Sequence, residues 1–374
     1  MSKSEVPSFS VLHVATAMSW RGGEQQVAYL TSELQKKGVR QYVLCTADSA
    51  MEQYCVDHHL PYFAAVKRSS FDISYAKRIK DICKSNSIDL IHTHDSHAHS
   101  FAVYAAVLFS CKSKIIVSRR VDFKVSNNPF SRFKYNHKSV ARILCVSEKI
   151  REITAEAVTD ASRLVTVHSG IDASRFEGKV ATGKLHSEYN LAPGIRLVGN
   201  VSALAPHKDY PTFLRTAALL KEKLKDVRWL IIGDGPEKET IEKTIAELAL
   251  QDVVIMTGFR NDIPDILPEL DVMLITSETE GLGTTILDAF ACRVPVVATA
   301  AGGIPEIVLH QQTGLLAAVG DTVTLANEVE QLLHNGELRN RLTAGAMKHL
   351  ELFSREATAW HTLREYVAVT GADL

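Results

Sequence analysis

The sequence predicts an α/β protein built from two Rossmann-like domains, each a doubly wound parallel sheet with helices on both faces. Short β-branched runs alternate with amphipathic stretches along almost the whole chain, which is the pattern of doubly wound sheets. The apolar runs are continuous, as expected of strands that are covered on both faces. They are too many for one sheet of normal size, and 374 residues correspond to about two domains.

The predicted strands are short apolar runs that end at turn-forming residues. In the first half they are FSVLHVA (9–15), YVLC (42–45), YFAAV (62–66), DLIH (89–92), KIIVS (114–118), RILCV (142–146) and RLVTV (163–167). In the second half they are IRLVGNV (195–201), VRWLII (227–232), VVIMT (253–257), VMLIT (272–276) and VPVVAT (294–299). Ligands of open α/β sheets bind beyond the carboxyl ends of the strands, so binding residues are expected in the loops that follow these runs.

The intervening stretches predict amphipathic helices. In GEQQVAYLTSELQKKG, Val27, Leu30 and Leu34 fall on one face, and Gly38 follows as a helix stop. After about residue 321 the chain predicts only helices.

The domain boundary is predicted within 168–194, where Gly, Ser and Pro interrupt the periodic pattern. This divides the chain into an N-terminal domain, a linker, a C-terminal domain and a last helix that we expect to pack back onto the N-terminal domain. Their bounds are 1–170, 171–194, 195–352 and 353–374.

The small net charge of −1 hides two halves of opposite sign. Residues 1–170 hold 23 Lys and Arg against 15 Asp and Glu, whereas residues 171–374 hold 19 against 28. The stretch 111–151 is the most basic, with 11 basic residues and two acids. It is expected either to attract phosphates or an anionic membrane surface, or to be an ordinary solvated face.

The six cysteines have no C-x-x-C spacing and lie in or beside apolar runs, so we expect reduced thiols rather than disulfides or a zinc site. The N-terminal MSKSEVPSFS lacks the apolar region of a signal peptide, and no run of about 18 apolar residues occurs. These features predict a cytoplasmic protein, with peripheral contact at the inner face of the membrane left open by the basic half.

The loop ETEGLGTTILDAF (278–290) is the strongest candidate for a ligand site. Glu280 would lie at the turn after a strand, followed by two glycines that permit close backbone approach, and Asp288 would lie on the next helix. Amides at a helix start bind anions, and carboxylates accept hydrogen bonds from vicinal hydroxyls. A nucleotide sugar offers both groups. For Asp288 alone, a helix-dipole role is a serious alternative.

Three further loops follow predicted strands. Gly22 and Gly23 precede a helix after the first strand and form a candidate anion seat. Lys208 precedes a helix in the second half and is suited to pair with a phosphate. The stretch 258–260, Gly-Phe-Arg, either flanks a flat nucleobase or simply packs.

Taken together, several segments resemble the retaining glycosyltransferases of family 4, which have the GT-B fold. The segments span positions 22 to 316 and are GGEQQVAYL, VHSGIDASRF, PHKD, IIGDGPE, TGFRNDIPD, SETEGLGTTILDAFACRVPVVAT, AGGIPEIV and TGLL. The resemblance implies two Rossmann-like domains that face each other across a cleft. It also implies that the first domain binds a glycan or lipid-linked acceptor and that the second binds a nucleoside diphosphate sugar.

The resemblance also assigns roles to residues. Glu280 corresponds to the acid that contacts the transferred sugar and Lys208 to the lysine that holds the diphosphate, which makes them the catalytic candidates. Asp288 stands where the family has a glutamate that contacts the ribose, so its side chain is one methylene shorter. Donor contacts are further expected from Gly281, Leu282, Gly283 and Thr284, and on the base side from Gly258, Phe259 and Arg260.

Two departures concern cations. Ala203 stands where many members have an arginine, and Arg119 and Arg120 stand where many have a histidine. The two arginines therefore serve either the donor phosphates or an anionic acceptor, and RRVDF with the basic stretch after it resembles a subset that acts on lipopolysaccharide or other surface glycans. His94 is expected on the acceptor side.

No D-x-D motif occurs, and the histidines at 92, 94, 97 and 99 alternate between faces, so neither a metal nor another cofactor is expected. The family retains anomeric configuration, with the departing phosphate thought to take the acceptor proton. Two alternatives stay open: a nucleotide-sugar epimerase of the same fold, and a non-catalytic nucleotide-sugar binder.

Overall fold

The computed structural model describes residues 8–373. Residues 1–7, which include most of the N-terminal stretch judged unlike a signal peptide, lie outside that range. The chain divides into two compact units. The first runs to Gly170 and takes up the chain again from Arg355, and the second is Ile171–Ser354.

The first unit is a parallel sheet whose described part has seven strands in the order β3-β2-β1-β4-β5-β6-β7. The strands are β1 (Ser10–Ala15), β2 (Arg40–Thr46), β3 (Tyr62–Ala65), β4 (Leu90–Thr93), β5 (Lys114–Arg119), β6 (Val140–Cys145) and β7 (Leu164–Thr166). The helices before the second unit are α1 (Gly22–Lys36), α2 (Ala50–Asp57), α3 (Ile73–Ser85), α4 (Ser96–Phe109), α5 (Pro129–Asn136) and α6 (Glu148–Ala155).

The second unit is a parallel sheet whose described strands have the order β10-β9-β8-β11-β12-β13. The strands are β8 (Arg196–Val201), β9 (Val227–Ile232), β10 (Val254–Gly258), β11 (Val272–Ile275), β12 (Val296–Thr299) and β13 (Leu315–Ala317). Its helices are α7 (Lys184–Glu188), α8 (Tyr210–Lys221), α9 (Lys238–Glu247), α10 (Ile263–Ile266), α11 (Thr284–Ala291), α12 (Ile304–Ile307), α13 (Thr322–His334) and α14 (Gly336–Leu350).

The last helix, α15 (Arg355–Thr370), belongs to the first unit. Its apolar face joins the core beside α1, where Leu30 and Leu34 are buried together with Leu363 and Tyr366. The Tyr366 ring packs edge-on against Phe9, with centroids 6.0 Å apart. Burying these rings ties the C-terminal end of the chain to the N-terminal sheet.

Each sheet reverses its strand order at one point, between β1 and β4 in the first unit and between β8 and β11 in the second. At such a point the two following loops diverge to opposite faces of the sheet, which opens a crevice at the carboxyl ends of the strands. The loops after these four strands are therefore the places at which each unit can bind a ligand.

The predicted fold class is confirmed: both units are parallel, Rossmann-like sheets with helices on their faces. The twelve predicted strands correspond to β1–β12, while β13 was not predicted. All six cysteines are free thiols. Among the described helices, none has the length and apolar character that crossing a membrane requires.

Candidate functional site

Lys208 lies where the loop after β8 meets the loop after β11. It ends a short turn, Pro206–Lys208, ahead of α8. The Thr276 hydroxyl donates to the Lys208 carbonyl at 3.1 Å, and the Glu278 amide donates to the His207 carbonyl at 2.9 Å. These bonds hold the two loops together at the point where the strand order reverses.

The side chain of Glu280 forms an ion pair with Lys208 and also accepts a hydrogen bond from the Ser277 hydroxyl at 3.0 Å. The two charged side chains are only 16% and 14% exposed. Because little water screens them, their attraction is stronger than that of a surface pair. The second unit thus places a cation and an anion side by side at its switch point.

The backbone of Glu280 is fixed from the other side by a glycine pair. The Gly303 amide donates to the Glu280 carbonyl at 3.0 Å. Gly302 has a φ of +53°, and a Cβ built there would lie 1.9 Å from the same carbonyl oxygen. Only glycine permits this approach, so the loop before α12 positions the catalytic candidate.

The start of α11 presents backbone amides next to Glu280. Its N-cap, Gly283, has a φ of +88° and no side chain to occupy the free amides, whose first is that of Thr284. Leu282 is buried and anchors the loop in the core, while Gly281 stays half-buried. Free amides at a helix start, combined with the helix dipole, favour an anion.

Asp288 lies on α11, about one helical turn after these amides. Burial raises the pKa of its carboxyl to about 7, with the nearby positive charge of Arg175 opposing the shift. A desolvated carboxylate is destabilised relative to its neutral form, so this acid changes charge near neutral pH. The charge state of Asp288 is therefore sensitive to whatever hydroxyl or cation contacts it.

In the loop that follows β10, Gly258, Phe259 and Arg260 have different surroundings. Gly258 ends the strand, where its carbonyl accepts from the Gly233 amide at 3.0 Å, and the Phe259 side chain is 78% exposed. The Arg260 guanidinium is held by Glu188 at 2.5 Å and by Asp262 at 2.7 Å. Since two carboxylates pair with its guanidinium, the charge of Arg260 is largely compensated within the protein.

In the first unit, Gly22 and Gly23 form the first residues of α1 at the carboxyl end of β1. A Cβ at either position would meet nothing within 4 Å, so both border open space. The Arg21 amide donates to the Glu24 carboxylate at 3.1 Å, which caps the helix start. A ligand can approach the glycine backbone without steric hindrance.

The loops after β1 and β4 are joined by Asp95. Its carboxylate accepts from the Thr16 amide at 2.6 Å and from the Thr16 hydroxyl at 2.8 Å, while it caps α4 through the amides of His97 and Ala98. This bridge fixes His94, the preceding residue, at the switch point of the first sheet.

The two adjacent arginines have different surroundings. Arg119 is 5% exposed and lies over the rings of Phe123 and Tyr135, with distances of 4.9 and 6.0 Å to their centroids. Arg120 donates to the His94 carbonyl at 3.1 Å and to the His94 Nδ1 at 3.3 Å. The structure therefore brings Arg120 together with His94 and encloses Arg119 among aromatic rings.

His94 is also one of three buried imidazoles that lie close together. Their ring nitrogens, on His13, His92 and His94, lie within 4.8 Å of one another. His13 Nδ1 and His94 Nε2 are 3.0 Å apart, and His92 contacts both the Tyr366 hydroxyl at 2.5 Å and the Ser118 hydroxyl at 2.8 Å. Burial lowers the pKa of all three, so they are neutral.

This cluster does not fit a cation well. Arg120 places a positive charge against the Nδ1 of His94, which opposes a cation bound nearby, and hydroxyls already engage both nitrogens of His92. A cavity of about 20 Å³ next to it is lined by polar groups such as Gln26 and Ser169, which is room for one water. The imidazoles form a hydrogen-bonded network that holds Arg120 in place through His94.

Comparison with known proteins assigns each unit. Residues 20–175 match the family model described as Glycosyltransferase Family 4, and residues 183–349 match the model described as Glycosyl transferases group 1. The two matches follow each other and together cover most of the chain. This chain is a glycosyltransferase with a family 4 domain followed by a group 1 domain.

Relatives and solved structures agree with that assignment. The glycosyltransferase is similar to N-acetyl-alpha-D-glucosaminyl L-malate synthase of Bacillus anthracis, with 28% identity over 78% of this chain and 75% of the relative. It is similar to 2-deoxystreptamine glucosyltransferase of Streptomyces kanamyceticus, with 28% identity over 63% of this chain and 62% of the relative. Its fold matches that of Anabaena HepE, solved in complex with UDP, at a TM-score of 0.84 and 20% identity over 96% of this chain and all of HepE.

Within this glycosyltransferase, the site of the second unit combines Lys208, Glu280 and the α11 amides, with Asp288 on the same helix. Such a set can neutralise a diphosphate at one end and orient hydroxyls at the other. Sequence reasoning missed Ser277, which positions Glu280, and Arg175, whose charge acts on Asp288. The glycine pair 302–303 belongs to the AGGIPEIV segment that the sequence singled out, and the structure adds its close approach to the Glu280 carbonyl.

Proposed function

We propose that this enzyme transfers a sugar from a nucleoside diphosphate sugar to a glycan or lipid-linked acceptor, with retention of configuration and without a metal ion. The observation that carries the proposal is the shielded Lys208–Glu280 pair beside the free amides of α11. A diphosphate sugar needs positive charge at the leaving group and hydrogen-bond acceptors at the sugar hydroxyls. This arrangement supplies both within one loop cluster of the second unit.

In the proposed reaction the bond between the anomeric carbon and the diphosphate oxygen breaks, and its electron pair leaves with the diphosphate. Lys208 and the amides that start at Thr284 stabilise that charge, while Glu280 orients the sugar hydroxyls and Asp288 contacts the ribose. The acceptor oxygen then bonds to the anomeric carbon on the face that the diphosphate left. Its proton passes to a diphosphate oxygen, so no separate base is required.

We propose UDP as the nucleotide portion of the donor, with uracil as its base, because structural neighbours have been solved with UDP or UDP-glucose. A thermal-shift series with UDP, GDP, ADP and CMP tests this directly, since a ligand that binds the folded state raises its melting temperature. Stabilisation by GDP or ADP alone would overturn the choice of base without affecting the rest of the proposal.

On the acceptor side we propose that Arg120, held in place by His94, binds an anionic group of the acceptor. Arg120 lies at the switch point of the first sheet and remains half-buried, whereas Arg119 is enclosed. Arg120→Gln is expected to raise the KM for the acceptor while the KM for the donor stays unchanged. A rise in the donor KM alone would instead assign Arg120 to the donor phosphates.

A lipid-linked acceptor is supported by exposed aromatic rings near α5. Phe71, Tyr104 and Phe130 form a ring cluster with centroids 5.7 to 6.5 Å apart, and Phe133 is 48% exposed beside the basic Arg132. Aromatic rings interleaved with basic side chains suit the interface of an anionic membrane. Sedimentation with vesicles that contain anionic lipid should depend on Phe133, and binding that survives Phe133→Ser together with Phe130→Ser would contradict this contact.

Turnover is the decisive test. Glu280→Gln is expected to lower kcat by about 100-fold or more, as loss of a charged transition-state contact does, while UDP affinity changes little. Glu278→Gln, an exposed acid in the same loop, is the matched control and should retain activity. Equal activity of wild type and Glu280→Gln would refute the assignment, and activity abolished by EDTA would refute metal independence.

The alternatives are separated by the products. An epimerase converts the donor without any acceptor, so incubation with donor alone followed by NMR of the sugar reveals it. A non-catalytic binder shows a thermal shift but no turnover with any acceptor. Retention is read from the anomeric coupling constant of the transferred sugar.

A further inference from the structure

Two cysteines lie near the amino ends of β4 and β5, at the end of the first sheet opposite to the ligand-binding loops. Cys83 is buried near the end of α3, and Cys111 is half-buried just after α4, in the segment that leads into β5. The two thiols are near enough to each other that each shifts the pKa of the other. The Cys111 sulfur also lies 3.7 Å from the Ser113 hydroxyl.

These thiols line a cavity of about 520 Å³, large enough for a small molecule. Its wall carries three lysines, Lys80, Lys84 and Lys112, against one acid, Asp89. The Asp89 carboxylate is already engaged by the Ser10 amide at 2.9 Å and the Ser10 hydroxyl at 3.0 Å. The cavity is therefore positively charged and suits an anionic ligand.

We propose that this cavity is a thiol-modification site for an anionic low-molecular-weight disulfide, with Cys111 as the attacking thiol and Cys83 as the resolving thiol. The site is independent of the residues assigned to sugar transfer. The lysines attract the carboxylates of the incoming disulfide, and both thiols line the same cavity.

The electrostatics distinguish the two thiols. The neighbouring Cys83 thiol, the Ser113 backbone and hydroxyl and the charge of Lys80 hold the pKa of Cys111 below its usual value, although burial opposes them. The same pairing, together with burial, raises the pKa of Cys83. Cys292, which is also half-buried, has its pKa raised to about 12 by burial. Cys111, which is also the more exposed of the pair, is thus the thiol that ionises more readily.

The proposed chemistry is balanced disulfide exchange. The Cys111 thiolate attacks one sulfur of the small disulfide, the S–S bond breaks, and one small thiolate leaves and takes a proton. Cys83 then loses its proton and attacks the Cys111 sulfur, which releases the second small thiol. Two protein thiols are oxidised to one disulfide, and one small disulfide is reduced to two thiols.

The experiment uses the full-length protein and glutathione disulfide as the probe. After incubation at pH 7 and alkylation of the remaining thiols, peptide mass spectrometry is expected to find a disulfide between Cys83 and Cys111. Cys83→Ser should stop the reaction at a glutathione adduct on Cys111, and Cys111→Ser should leave Cys83 unmodified. Cys292 in the same sample is the internal control for a half-buried thiol.

The lysines are tested through the charge of the probe. Lys84→Gln and Lys112→Gln should each slow the reaction with glutathione disulfide about two- to threefold, the effect of a unit charge roughly 8 Å away in water, while the rate with uncharged hydroxyethyl disulfide stays the same. Lys243→Gln, on the other unit, is the control substitution. Modification of Cys292 as fast as Cys111, or no Cys83–Cys111 disulfide in folded protein of native circular dichroism, would overturn the proposal.

Discussion

Asp288 links the site to pH at the scale of a single residue. Its pKa is raised to about 7 by burial, so its carboxyl gains charge as the pH rises from 6 to 8. A ribose hydroxyl donates more strongly to a carboxylate than to a neutral carboxyl. Donor affinity should therefore rise by up to about tenfold over that interval, the change in the ionised fraction of an acid with this pKa.

Comparing wild type with Asp288→Asn and Asp288→Glu isolates the contribution of Asp288 to the pH dependence of donor affinity. In Asp288→Asn the donor affinity should lack that increase, whereas any slope due to titration of the diphosphate itself remains in both. Asp288→Glu restores the residue typical of the family and should keep the pH dependence with donor binding at least as tight. Identical pH profiles of wild type and Asp288→Asn, measured by calorimetry, would show that Asp288 does not contact the ribose.

At the same scale, sequence reasoning located side chains but not their partners. Arg260 was correctly placed in a loop after a strand, yet its ion pair with Glu188, 72 positions away, depends on how α7 packs. Likewise, the adjacent arginines 119 and 120 have the same chemistry, and only the packing of Phe123 and Tyr135 around one of them separates their environments.

At the scale of secondary-structure elements, the loop between β12 and α12 requires glycine at position 302. Gly302 approaches the Glu280 carbonyl so closely that a methyl group would displace one of the two backbones. Gly302→Ala should therefore lower kcat by at least about tenfold, because a shift of about 1 Å in a catalytic group has effects of that order. It should also lower the melting temperature.

Gly320→Ala is the matched control for this substitution. Gly320 likewise has a positive φ, +77°, but a Cβ there meets nothing within 4 Å. Both variants bear the cost of a left-handed alanine, about 1 kcal/mol, and only Gly302→Ala adds the clash. Wild-type kcat in Gly302→Ala, with both variants equally stable, would mean that the loop does not position Glu280.

The elements that the sequence predicted well are those whose burial leaves a periodic signal. β1 to β12 are apolar runs because helices cover both sheet faces, so their residue types alone identify them. β13 is only three residues long, Leu315–Ala317, and pairs with β12 by a register that no local pattern encodes. It lies at the edge of the sheet, where Leu315 shares a core with Leu325 of α13.

For the whole molecule, the buried histidines concentrate sensitivity to acid in the first unit. His13, His92, His94 and His99 all have a pKa below the usual value, chiefly because burial disfavours the charged ring. On unfolding they return to about 6.5, so the unfolded chain binds more protons below that pH. Their stabilising contribution is complete above about pH 6.5 and is lost as the pH falls towards the folded values.

Each of these histidines should lower the free energy of unfolding by about 1.4 kcal/mol for every pH unit below about 6. The first unit is thus expected to unfold before the second on acidification from pH 7 to 5, which hydrogen exchange resolved by peptide would reveal. His99→Asn should make the decline of stability with pH shallower by about one such increment, whereas His58→Gln, at an exposed position, should leave it unchanged. Since absolute stability differs between variants, the slope is the quantity to compare. Parallel slopes for wild type and His99→Asn, or earlier acid unfolding of the second unit, would contradict a first unit that depends on neutral imidazoles.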